Sequence, residues 1–173
     1  MLNMLSGLMT SRKWWGGLII LCLALQGVAL YYQYQLNYLP CVLCVHVRML
    51  VGLLLVVSCI GWITAANRGI SLIIMTAVTA IWLWLVERSY QLLATERGWN
   101  MSECSMDSGL PAWLALEKWF PWLFHIHEPC GYTPYLLFKI SMAEALIVMS
   151  VFFSLLCVSI LILQLKPRGS AFS

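Results

Sequence analysis

Apolar residues fall into four long blocks with few polar interruptions. The blocks cover residues 14–34, 45–66, 70–86 and 145–165. A helix needs about 20 mostly apolar residues, roughly 17–25, to cross the hydrocarbon core of a bilayer, and each block meets that length. Gln26 and Gln33 interrupt the first block, and His46 and Arg48 stand in the first turn of the second. Glu87-Arg88 stops the third, and Lys166-Pro167-Arg168 ends the fourth. The connections at 35–44 and at Asn67-Arg68-Gly69 are short, which makes the first three spans antiparallel neighbours. The remaining connection, 87–144, is long enough to be functional in its own right. The pattern predicts an all-α fold: one domain over residues 1–173, built as a bundle of four transmembrane helices.

Composition agrees. The 173 residues are 62% hydrophobic and 10% charged, whereas soluble domains average about 45–50% apolar and about 25% charged. The net charge of +3 is too small and too scattered for a nucleic-acid partner, so the expected surroundings are a lipid bilayer. Arg12-Lys13, an apolar run and Gly27-Val28-Ala29 imitate a cleaved leader, yet apolar and aromatic residues continue through Tyr34 and read as a span. Charge then sets sidedness. Arg12, Lys13, Arg68, Lys166 and Arg168 lie on one side with no acid, and all seven acids lie on the other. The positive-inside rule puts both termini in the cytoplasm and the 35–44 and 87–144 loops outside.

Seven cysteines refine the picture. Cys22, Cys59 and Cys157 fall inside spans and read as small buried hydrophobes. Cys41, Cys44, Cys104 and Cys130 all fall on the outward side, where two disulfides are expected. Cys41-Val42-Leu43-Cys44 follows Pro40 at the mouth of the second span. A thiol at a helix N-terminus meets unpaired amide groups and the positive end of the dipole, both of which favour the reactive thiolate. The ring closed by C-x-x-C is too small to stabilise a fold much, which points to redox work. Cys104 and Cys130 admit a plain staple. A zinc site drawing on Cys41, Cys44, His125, His127 and Cys130 is a further alternative, although its H-x-H-x-x-C half is irregular. Arg48 lies one helical turn beyond Cys44 on the same face. It is either an interfacial snorkelling residue or a fixed positive charge beside a thiolate and an electron-accepting oxygen.

The run Pro40-Cys-Val-Leu-Cys-Val-His-Val-Arg48, four spans and a long outward loop with its own cysteine pair resemble the bacterial disulfide-bond formation protein B (DsbB) family. The loop segment Leu110-Pro-Ala-Trp-Leu-Ala-Leu-Glu-Lys-Trp-Phe-Pro121 is similar to the family's stretch between its two loop cysteines. The resemblance implies a multi-pass inner-membrane oxidase with its active cysteines on the periplasmic side. Its partner would be a periplasmic DsbA-type thioredoxin-like oxidase, and its electrons would leave to the membrane quinone pool, ubiquinone or menaquinone. Carried over by residue, Cys104–Cys130 exchanges with the partner, Cys104 forming the mixed disulfide. Cys130 then attacks Cys41, and the freed Cys44 thiolate meets the quinone beside Arg48, with His46 a further candidate contact. No metal is implied.

The chain departs from the family at Gln26, where members often carry an acid, and at Val47. Residues 110–124 read separately as a short helix lying in the interface, with Ala112, Leu116, Trp119 and Leu123 opposite Glu117 and Lys118. Two rival readings remain at this point. A vitamin-K-epoxide-reductase-like oxidase places its C-x-x-C near the end of the last core span, whereas here it opens the second. A non-enzymatic four-span scaffold with a stapled loop would keep its bridges against mild reductants.

Overall fold

The computed structural model describes residues 11–36, 41–99, 135–137 and 140–165. Four helices dominate: α1 (Arg12–Tyr34), α2 (Val42–Thr64), α3 (Arg68–Glu96) and α4 (Met142–Leu165). All four are long and apolar enough to cross a membrane, as the apolar blocks predict. A short antiparallel ribbon, β1 (Tyr135–Leu137) against β2 (Ile140–Ser141), leads into α4 and was not expected from the pattern.

Neighbours in sequence are neighbours in space: α1 packs on α2, α2 on α3, and α3 on α4. Trp15 and Leu18 of α1, Leu50 and Leu54 of α2, Met75 and Trp82 of α3, and Cys157 and Ile160 of α4 share one core. Trp82 stacks on Phe153 at 4.9 Å and 14°, joining α3 to α4. Where α1 crosses α2, the ring of Trp15 lies directly on Gly61. The outward faces are as apolar as the core, with Ile20, Ile63, Ile73, Val148 and Leu155 exposed. Such continuous apolar surface suits lipid as the outer solvent. Two buried hydroxyls find partners without leaving their helix: Thr79 donates to the Met75 carbonyl at 2.8 Å and Ser89 to that of Leu85 at 2.6 Å.

The third helix corrects the sequence reading. Glu87-Arg88 ends the apolar block but not the helix, which continues to Glu96. Arg88 donates to Gln91 at 2.9 Å and Gln91 to Glu87 at 3.4 Å, so the polar pair supports the next turn. The stop comes at Gly98, whose φ of 70° suits glycine. There the Gly98 N–H reaches the Thr95 carbonyl and the Trp99 N–H reaches that of Ala94, the two bonds of a Schellman cap. The second helix begins at Val42, before its apolar block and at the C-x-x-C where the sequence places the helix mouth, with Cys44 in its first turn.

A capping box opens α4: the Glu144 N–H donates to Ser141 Oγ, and the Ser141 N–H donates to Glu144 Oε2, both at 3.2 Å. The other oxygen of Glu144 takes a 2.6 Å ion pair from Arg97. The ends of α3 and α4 are thereby tied together. Beneath that tie a second apolar cluster gathers Cys41, Leu43, Leu92 and Ala143, with Cys44, Leu93 and Leu146 packed against it. The extension of α3 therefore supplies part of the cover over the C-x-x-C.

Candidate active site

Cys41 is the N-cap of α2, with extended backbone angles (φ −82°, ψ 168°), and its sulfur accepts the Cys44 N–H at 3.3 Å. A sulfur in that position does the work usually given to a Ser or Asp oxygen, and the helix dipole favours negative charge on it. The two sulfurs stand 2.7 Å apart, in direct contact. Cys41 is 4% exposed under Leu92 and Ala143. Cys44 is partly exposed. The expected redox pair is thus assembled at the helix mouth, one sulfur covered and the other accessible.

Arg48 sits one turn further along α2 and is only 8% exposed. Its burial is met by one stripe of α1. One terminal nitrogen donates to the Gln33 side-chain oxygen, and the other donates to the Ala29 carbonyl at 3.0 Å. Gln26 donates from its side chain to the carbonyl of Arg48 at 3.1 Å, passing over Gly52. Arg48 lies within electrostatic reach of Cys44, Cys41 and Tyr34. A snorkelling arginine would extend its head into water, whereas this one is 8% exposed and turned against a neighbouring helix.

The structure brings together Cys41, Cys44 and Arg48 but not His46. Residues two apart on a helix do not share a face, so His46 points away from Cys44 and Arg48. It is partly buried on the far side of α2. Cys104, Cys130, His125, His127 and the 110–124 segment lie outside the described residues. Among the described residues no three His, Cys, Asp or Glu side chains converge as a metal site would require. Gln33 is the residue that the sequence reading passed over, and Gln26 was noted as a departure from the family without a contact to Arg48. The available signal was their spacing of seven, which places both on one face of α1.

Comparison with known proteins bears on this arrangement. The family described as Disulfide bond formation protein DsbB matches residues 11–160. The Disulfide bond formation protein B of Mannheimia succiniciproducens is 34% identical over 171 residues, covering 96% of this chain and 94% of the relative. That of Shewanella amazonensis is 32% identical over 141 residues, covering 80% and 82%. That of Pasteurella multocida is 29% identical over 175 residues, covering 96% and 94%. The chain belongs to the DsbB family of membrane disulfide bond formation proteins, which makes it a multi-pass disulfide-forming oxidoreductase.

Proposed function

We propose that the protein reoxidises a periplasmic DsbA-type thioredoxin-like partner and passes the electrons to a membrane quinone, ubiquinone or menaquinone. It lies in the bacterial inner membrane with both termini cytoplasmic and the Cys41 end periplasmic, the orientation favoured by the charge asymmetry of its loops. The observation that carries the reading is the buried Arg48, held by α1 one turn from a close-set dithiol whose outer sulfur is accessible.

The electron count balances through two exchanges. The partner's dithiol gives two electrons and two protons to the Cys104–Cys130 disulfide: Cys104 forms the mixed disulfide as Cys130 leaves, and the partner's second thiol resolves it, releasing Cys104. The resulting loop dithiol reduces the Cys41–Cys44 disulfide in two steps: the Cys130 thiolate attacks Cys41 and Cys44 leaves as thiolate, then Cys104 attacks Cys130, Cys41 leaves and the loop disulfide is closed again. A bound quinone supplies a two-electron, two-proton sink for that second dithiol. Arg48 stabilises negative charge on the Cys44 sulfur and donates towards an electron-rich oxygen beside it. The donor set fits such a group: a cation adjoining a nucleophilic sulfur, within helices otherwise apolar. Family membership sets aside the vitamin-K-epoxide-reductase-like alternative.

Arg48→Met tests the reading, since it keeps bulk and helix propensity and deletes the charge. Both disulfides and partner exchange are expected to persist, while quinone-dependent turnover weakens mainly through apparent quinone affinity. Lys should rescue only in part, being a point charge rather than a planar fork. Unchanged quinone dependence in correctly oxidised Met variant refutes the role.

A further inference from the structure

Gln26, Ala29 and Gln33 are spaced three and four apart, so one face of α1 meets Arg48 at three points. Gln26 fixes the backbone of Arg48 through its carbonyl, and Ala29 and Gln33 each take one terminal nitrogen of the guanidinium. A long flexible side chain is thereby held in one orientation, one turn from Cys44 on the same face of α2. The two α1 groups that receive the guanidinium are both neutral, an amide oxygen and a peptide carbonyl. Neutral acceptors orient a cation without cancelling its field. A carboxylate at position 33 would accept the same hydrogen bond in charge-assisted form and convert the cation into a dipole, weakening its pull on a nearby thiolate.

We infer that Gln33 is a positioning residue for Arg48, an amide whose oxygen aims the guanidinium at Cys44 while leaving its charge in force. The inference rests on the reading that Arg48 serves Cys44 and its electron acceptor. It makes position 33 sensitive to charge as well as shape, which a packing role would not.

The test uses full-length protein in lipid nanodiscs and three single variants: Gln33→Met, Gln33→Glu and Arg48→Met. Steady-state reduction of a short-chain ubiquinone analogue by reduced partner gives KM and kcat. Alkylation of Cys44 across pH, without quinone, is read in a Cys41→Ser background, where Ser retains the N-cap. Gln33→Met is expected to raise the quinone KM about threefold to tenfold with kcat nearly unchanged, the scale of one lost charge-orienting hydrogen bond. Gln33→Glu should raise KM at least as much and move the Cys44 alkylation profile to higher pH, although it keeps an acceptor at the same place. Gln33→Met combined with Arg48→Met should be no worse than Arg48→Met alone. If Arg48→Met shows its defect while both Gln33 variants keep wild-type KM and the wild-type Cys44 profile, the inference is overturned and the function reading stands. If Arg48→Met leaves quinone dependence unchanged, the function reading fails. The inference, which rests on that reading, then falls with it.

Discussion

Replacing Gly61 by Ala places one methyl group where the packing of α1 on α2 has no space for it. A Cβ at Gly61 would stand 2.5, 2.6 and 2.7 Å from Cε3, Cζ3 and Cδ2 of Trp15. Carbon atoms pack at about 3.5–4.0 Å, so the ring or the helix must retreat by about 1 Å. Trp15 is rigid and fully buried among core side chains, so it has no vacant direction. Overpacking of this kind costs about 1–3 kcal/mol. Alanine returns about 0.8–1 kcal/mol of helix propensity relative to glycine, and any Gly→Ala change in a helix shares that gain. Gly27→Ala is the matched control, because a Cβ there meets nothing within 4 Å. Gly52→Ala is a second control, with only an ordinary 3.7 Å contact to Gln26 Nε2. Unfolding in mixed micelles, titrated with denaturing detergent and followed by circular dichroism, should rank Gly61→Ala below Gly27→Ala by about 1–3 kcal/mol, the clash alone. Equal stabilities of these two variants would refute the account of the α1–α2 contact.

Glu144 has two separable duties. Glu144→Ala should lower the unfolding temperature clearly, while Glu144→Gln, which still accepts from the Ser141 N–H, should lower it less. Added salt should shrink the gap between wild type and Gln but not that between Gln and Ala, because only the Arg97 pair is screened. Cys130→Ser should let Cys104 hold a mixed disulfide with a DsbA-type partner, whereas Cys104→Ser should trap nothing comparable on non-reducing gels; equal trapping by both variants would contradict the assignment. Reporter fusions at Arg68 and at the C-terminus should score cytoplasmic and fusions near Asn100 periplasmic, and an outward Arg68 would overturn the charge argument.

The four spans were legible because burial in lipid demands little beyond length and apolarity. The C-x-x-C and Arg48 were legible for a different reason: their relation is local, set by one turn of a single helix. What was missed depends on neighbours. Glu87-Arg88 was read as a stop because the limit of the hydrocarbon was taken for the limit of the helix. Nothing after that pair breaks a helix until Gly98, and Leu92 and Leu93 have a cluster to enter. Gln33 counted only as an interruption and Gln26 as that and a departure from the family, since nothing within α1 shows that an arginine lies opposite. His46 was included by proximity in sequence, which a helix turns into opposition in space. The β1–β2 ribbon is too short for alternation to reveal it.

The length of α3 also fixes the depth of the chemistry. Its 29 residues rise about 43 Å at ~1.5 Å each, yet its apolar block ends at Val86, well before Glu96. Cys41 packs with Leu92, six residues past that end, and so stands roughly 9 Å above the hydrocarbon edge as α3 marks it. Arg48, almost two turns down α2, returns to the level of the edge itself. In the proposed orientation the dithiol would stand in the headgroup layer, with the arginine at its floor. An amphiphile with a polar ring and a long hydrocarbon tail settles at that depth by partitioning alone. Thiols carried in water and an acceptor dissolved in lipid would reach the same plane from opposite phases, neither having to cross into the other.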